Sequence, residues 1–249
     1  MKPSRIRKLL RHWYQTAYIT RKLWRREKGK YTIHYPYDYC TYSPWFEPWF
    51  NDIYETIKDY TLVSEDRCYI INQFCDYCIK LPGNFGECGV FKGGTALLIA
   101  MAMDQAGIAG ADKNLHLFDT FKGMPYFAKK SRDQHNPGDF GDTSLDDVKK
   151  LLYRFSMIKF YPGIIPDTFK DVANKQFSFV HIDVDIFPTM LECSKFFYNH
   201  LVRGGILLFD DYGFPNYKHA AKAAIDEFFK DKPENPIILH TGQSFIIKL

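Results

Sequence analysis

From residue 84 onward, short apolar runs alternate with longer stretches whose apolar residues recur every three or four positions. The first pattern marks buried strands and the second marks amphipathic helices. It predicts strands at 85–90, 114–119, 156–161, 177–184 and 205–210, and helices at 94–106, 143–155, 189–202 and 216–230. Such alternation implies an α/β fold, a doubly wound and mostly parallel sheet with helices on both faces. The end of the chain differs. IILH and SFIIKL are two apolar runs joined by TGQ, which predicts a closing antiparallel hairpin. Ahead of the regular part, 64–80 reads as a helix opened by Ser64, with Glu65 and Asp66 in its first turn. Further upstream, Ile6, Leu9, Leu10, Trp13, Tyr14 and Ala17 form an apolar stripe at helical spacing. The aromatic stretch at 34–50, HYPYDYCTYSPWFEPWF, has no clean period and reads as coil that packs its rings or lines an entrance. The expected division is a basic, aromatic-rich extension over 1–63 and an α/β domain over 64–249.

A chain of 249 residues can bury one substantial core. Its net charge of +4 hides an asymmetry. Residues 1–30 hold 11 Lys/Arg and one Glu, which leaves 22 basic against 28 acidic residues in the remainder. A basic amphipathic segment suits an anionic partner or a membrane surface. The simpler expectation is a helix that docks its stripe on the body or on a second subunit of a homodimer. No nucleic-acid partner is expected. No run approaches the roughly 18–20 apolar residues of a membrane span, and no secretory leader pattern is seen. Six cysteines in a chain this long do not make a disulfide scaffold. The expectation is a reduced, cytoplasmic protein, with peripheral membrane association as the further reading of the basic segment. Cys75 and Cys78 have metal spacing but no second pair, so they read as small apolar residues on one helix face.

Ligands of open α/β sheets bind at the carboxyl ends of the strands. The first such end carries GECGVFKGGT at 86–95. Gly89, Gly93 and Gly94 allow a tight turn and close backbone approach. The spacing is not the dinucleotide fingerprint, and Glu87 beside it would repel a pyrophosphate and attract an ammonium group. A nucleoside with a zwitterionic amino-acid tail fits better. Asp119 closes the second strand 26 residues after Gly93, where an acid can accept from a ribose diol, and Thr120 follows it. The polar gap at 126–142 is long enough for a lid.

The fourth strand, FVHIDVDIFP at 179–188, puts His181, Asp183 and Asp185 at alternate positions and so on one face. The fifth ends in Asp210 and Asp211. Four carboxylates at neighbouring strand ends repel one another, and a hard divalent cation is the simplest compensation. Asp-x-Asp also occurs in metal-dependent glycosyltransferases, and that reading stays open here; the glycine loop with Glu87 argues against it.

The segments GECGVFKGGTALLIAMAM, LHLFDTFKGMP, FVHIDVDIFPTMLECSKFFYNHLVRGGILLFDDYG and AAKAAIDEFF resemble the macrocin O-methyltransferase (TylF-type) family of S-adenosylmethionine-dependent enzymes, over about residues 80–230. The resemblance implies a Rossmann-like class I methyltransferase fold with a seven-stranded sheet and an inserted antiparallel last strand. It also implies that Glu87, Gly89 and Gly93 hold the methionine part of the cofactor and Asp119 its ribose. Asp142 and Ser144 would neighbour the adenine, with Asp183 also at the cofactor. It implies magnesium on Asp183, Asp210 and Asp211, and a sugar hydroxyl or glycosylated small molecule as acceptor, a catechol-like acceptor being the alternative. Asp185 is the expected proton acceptor, with Asp183 beside it at the reacting centre, and His181 is expected to be structural.

Overall fold

The computed structural model describes residues 31–34, 39–108, 113–126 and 135–249. The stripe expected over 1–30 and the middle of the candidate lid lie outside them. The chain divides between Thr56 and Ile57 into two compact units, seven residues before the boundary expected from sequence.

In the first unit the coil expected over 34–50 is replaced by regular structure. Strands β1 (Tyr31–His34) and β2 (Tyr39–Tyr42) pair antiparallel, with Tyr31 opposite Tyr42. Aromatic and β-branched residues favour strands, and here two short runs of them outweigh the lack of a period. A single 3-10 turn, Pro44–Phe46, leads into helix α1 (Pro48–Ile57), which starts on a proline whose missing N–H costs nothing at that position.

The second unit carries helix α2 (Glu65–Cys78), strand β3 (Asn84–Cys88), helix α3 (Gly94–Gln105), strand β4 (Leu115–Asp119), helix α4 (Leu145–Leu151) and strand β5 (Ile158–Pro162). Strand β6 (Phe177–Ile182), helix α5 (Phe187–His200), strand β7 (Leu201–Phe209), helix α6 (Ala221–Phe229) and strands β8 (Ile237–Ile238) and β9 (Ser244–Ile247) complete it. The seven-stranded sheet runs β5-β4-β3-β6-β7-β9-β8. The first five strands are parallel, and β9 inserts antiparallel between β7 and β8. The chain leaves β3 towards one edge, then returns to lay β6 on its other side. That reversal between β3 and β6 opens a crevice at the strands' carboxyl ends.

Every residue of β6 is buried, as expected of a central parallel strand covered on both faces. The abundant phenylalanines fill one layer beneath it. Phe118, Phe169, Phe177 and Phe197 meet edge to face with ring centroids 5.0–5.8 Å apart, the arrangement aromatic quadrupoles favour. Cys75 and Cys78 are buried on α2, and burial pushes both thiols upward, Cys78 to about 12. They remain free thiols within the core. Lys113 is buried beneath the α2 terminus and donates to the carbonyls of Cys78, Ile79 and Leu81, which satisfies C-terminal groups a helix otherwise leaves open. No helix among the described residues is long and apolar enough to cross a membrane.

Candidate active site

A cleft of about 370 Å³ opens at the switch point. Gly89, Val90 and Phe91 line it from the β3 end, Asp119 and Thr120 from β4, Asp183 and Asp185 from β6, and Asp210 and Asp211 from β7. Thr61, Leu62, Val63 and Arg67 line it as well, with Phe140, Phe214 and Tyr217.

The glycine loop is shaped by close backbone contact. Gly89 has φ +84°, and a Cβ there would stand 1.7 Å from the carbonyl oxygen of Asp183. Gly93 caps α3 with φ +90°. Among the described residues four non-glycines also have positive φ: Phe91, Phe121, Phe140 and Asp185. Each costs about 1–2 kcal/mol relative to a relaxed conformation, and three of them line the cleft. Strain of this kind persists where surrounding structure over-determines a site.

The cofactor residues expected from sequence divide. Gly89, Asp119 and Thr120 line the cleft. The Asp119 carboxylate accepts from the N–H groups of Val90, Phe91 and Phe121 at 2.6–3.0 Å. It therefore ties the glycine loop to the next strand end. Thr120 Oγ1 reaches the same carboxylate at a longer 3.4 Å, and among its about four acceptor sites this is the weak contact that a ribose hydroxyl would replace. Glu87 does not reach the cleft. It is fully buried, with Oε1 accepting from Nδ1 of His181 at 3.0 Å. Parallel pairing sets Glu87 beside His181, and both turn inward. Gly93, Asp142 and Ser144 also fall outside the lining. Asp142 is paired with Lys92, whose hydrogen bond holds its carboxyl below the usual range. Ser144 caps α4 by accepting from the Asp147 N–H at 3.1 Å. Thr143, between them, lines the cleft instead and donates to the Phe91 carbonyl.

The acids at the β6 and β7 ends separate into two groups. Oxygens of Asp183, Asp185 and Asp211 lie within 4.8 Å of one another. Strand β6 stops at Ile182, so Asp183 and Asp185 stand in the loop that follows it, Asp185 with a positive φ. Asp210, expected as a metal ligand, points into a different network. Its carboxylate accepts from Arg67 Nη1, from Gln243 Nε2 at 2.8 Å and from His181 Nε2 at 3.5 Å.

The charges follow that division. Burial alone would discharge His181, but hydrogen bonds to Asp210 and Glu87 outweigh it and push its pKa up to about 10. Burial also opposes ionisation of Asp210, yet His181 and Arg67 hold its carboxyl below the ordinary value. Glu87, His181, Asp210 and Arg67 thus form one hydrogen-bonded row that runs from the core to the cleft wall. The other three acids have no such support. Burial, then the neighbouring carboxylates, raises Asp183 and Asp211 well above the usual range. Burial raises Asp185 too, against partial relief from Asp211, His135 and Tyr217. The Oδ2 atom of Asp211 is buried with no hydrogen-bond partner among the described residues. Three clustered acids with an orphaned oxygen suit a hard cation, which takes oxygen ligands.

Arg67, His135 and Tyr217 carried no sequence signal. His135 Nε2 is 3.2 Å from the Tyr217 hydroxyl and 3.7 Å from Asp185 Oδ1. It sits within the long polar gap at 126–142, and that gap was the one cue to its place.

A parallel sheet closed by an inserted antiparallel strand, with a glycine loop and acids at its switch point, is the class I methyltransferase fold. A model of the macrocin-O-methyltransferase (TylF) family matches residues 56–238. The chain belongs to that family and is an S-adenosylmethionine-dependent O-methyltransferase. Demethyldecarbamoylnovobiocin O-methyltransferase of Streptomyces niveus is 22% identical over 181 residues, which are 68% of this chain and 67% of that one. The solved O-methyltransferase NovP matches with a TM-score of 0.62 at 19% identity, over 76% of this chain and 82% of its own. The calicheamicin methyltransferase CalS11 matches with a TM-score of 0.63 at 13% identity, over 81% and 93%.

Proposed function

We propose that the enzyme methylates a hydroxyl of a sugar or glycosylated small molecule, with a hard divalent cation held by Asp183 and Asp211 and with Asp185 beside them. The observation that carries this is the trio of buried, mutually raised carboxylates with an unsatisfied Asp211 oxygen. The sugar acceptor draws on family membership and on CalS11, described as a TDP-rhamnose 3′-O-methyltransferase. Family membership also leaves the glycosyltransferase reading without support.

S-adenosylmethionine supplies an electrophilic methyl group on a sulfonium. Asp183 and Asp211 would hold the cation, which would supply a lowered pKa and a fixed orientation to the acceptor hydroxyl. The chain's own residues do the rest. The backbone at Gly89 and the carboxylate of Asp119 hold the nucleoside against the β3 and β4 ends. Phe140, Ile165 and Phe214 keep water from the reacting centre. Asp185 takes the hydroxyl proton at its carboxylate, within reach of the His135 and Tyr217 pair. Positioning supplies much of the remaining rate.

The cofactor half of this reading predicts a thermal shift. At a hundred times its Kd, S-adenosylhomocysteine should raise Tm by about 5–10 °C, whereas UDP with magnesium should leave it unchanged. A shift with UDP and none with S-adenosylhomocysteine would sink the reading.

A further inference from the structure

We propose that Arg67 is a positioning residue that aims the Asp211 carboxylate by clamping its neighbour Asp210; the proposal rests on the cation reading above. Arg67 stands in the first turn of α2 and lines the cleft, with its side chain 13% exposed. Each of its three guanidinium nitrogens donates one hydrogen bond. Nη1 donates to Asp210 Oδ2, Nε donates to Ser64 Oγ at 3.0 Å, and Nη2 donates to the Leu62 carbonyl at 3.1 Å. Its plane also faces the ring of Phe214, 5.2 Å from the centroid. Ser64 occupies the cap position of α2, yet its side chain does not cap the helix and serves Arg67 instead.

The far side of Asp210 is fixed as firmly. Gln243 on the terminal hairpin donates to Oδ1 at 2.8 Å, and His181 reaches the same oxygen at 3.5 Å. Asp210 is therefore gripped from three elements, which fixes the peptide joining it to Asp211. Asp211 shares one side-chain hydrogen bond, with the loop residue Asp185, and its Oδ2 lacks any hydrogen-bond partner among the described residues. Its direction is set through Asp210. The same clamp joins the cleft wall at Leu62 to the acids, so wall and acids share one anchor.

A positive charge placed only to offset the acids would act differently. Such a charge competes with a bound cation, so removing it strengthens cation binding. A residue that orients ligands does the opposite, and losing one typically weakens metal affinity by about 10–100-fold. Lysine keeps the charge but not the planar fork, so it cannot serve Asp210, Ser64 and Leu62 together.

The test is Mn2+ affinity of the purified protein, read by electron paramagnetic resonance without acceptor. It is measured for the unmodified protein, Arg67→Gln, Arg67→Lys and Asp211→Asn, with S-adenosylhomocysteine affinity and Tm recorded for each. The expected result is about tenfold or greater weakening in both Arg67 variants, with S-adenosylhomocysteine affinity within about threefold of the original. If Arg67→Gln is too unstable to study, Arg67→Lys, which retains the charge, gives the same reading. Unchanged or tighter Mn2+ binding in an Arg67 variant overturns the positioning role alone. Unmodified protein that binds no Mn2+, or binds it no better than Asp211→Asn, overturns the cation reading and this proposal with it.

Discussion

Asp183→Asn and Asp211→Asn should each lower methyl transfer by at least about a hundredfold, the scale seen when one electrostatic group at a reacting centre is lost. S-adenosylhomocysteine binding should survive. Asparagine keeps the shape of aspartate and one carbonyl oxygen but no charge. The same substitutions should stabilise the metal-free protein at neutral pH. Both carboxyls have folded-state values raised well above their unfolded ones by burial and by each other. A carboxyl so raised contributes stability below its unfolded pKa and loses it as pH rises through the folded value. Removing the titrating group removes that loss. A higher Tm with lost activity is therefore the expected signature of acids kept for a ligand and not for the fold. Calorimetry with chelator present, alongside a labelled-methyl assay, reads both. A lower Tm together with retained turnover would show these acids to be structural.

Gly89→Ala should have the largest effect on the architecture of the site. The added Cβ meets the backbone oxygen of Asp183 at 1.7 Å, and no side-chain movement relieves a backbone contact. The residue's φ of +84° adds its own strain. The two strand ends are further bound by the Asp183 N–H donating to the Cys88 carbonyl at 2.8 Å. The variant must either separate β3 from β6 or turn the loop out of the cleft. We expect a loss of at least about 3 kcal/mol in stability, or more than tenfold in S-adenosylhomocysteine affinity. Gly107→Ala is the matched control. It has φ +74° with nothing within 4 Å of the added carbon, so it should cost about 1 kcal/mol and leave binding alone. Equal effects at both positions would mean that backbone conformation, and not the contact with Asp183, governs the loop.

The parallel sheet was legible because its strands are apolar runs in regular alternation with helices, and the hairpin because TGQ joins two such runs. Strand ends could be read too, and Asp119, Asp183 and Asp211, singled out by position, line the cleft. What the sequence did not show is which way a side chain turns after a strand ends. Asp210 and Asp211 look alike as residues, yet one is drawn to an arginine 143 residues away. Asp185 lies in a loop beyond the strand with a positive φ, a conformation that the apolar pattern does not encode. Glu87 looks like a ligand from its neighbours in the chain and becomes His181's partner only through strand register. Asp142 and Ser144 were placed by resemblance at a loop where local needs, an ion pair and a helix cap, claim both side chains. The β1–β2 hairpin was missed because two four-residue strands are too short to show a period.

The most direct test is transfer of a labelled methyl group from S-adenosylmethionine to a panel of vicinal-diol glycosides, run with magnesium and again in excess chelator. Transfer that stops in chelator and returns with magnesium is the predicted result. Transfer at the full rate in chelator would contradict it.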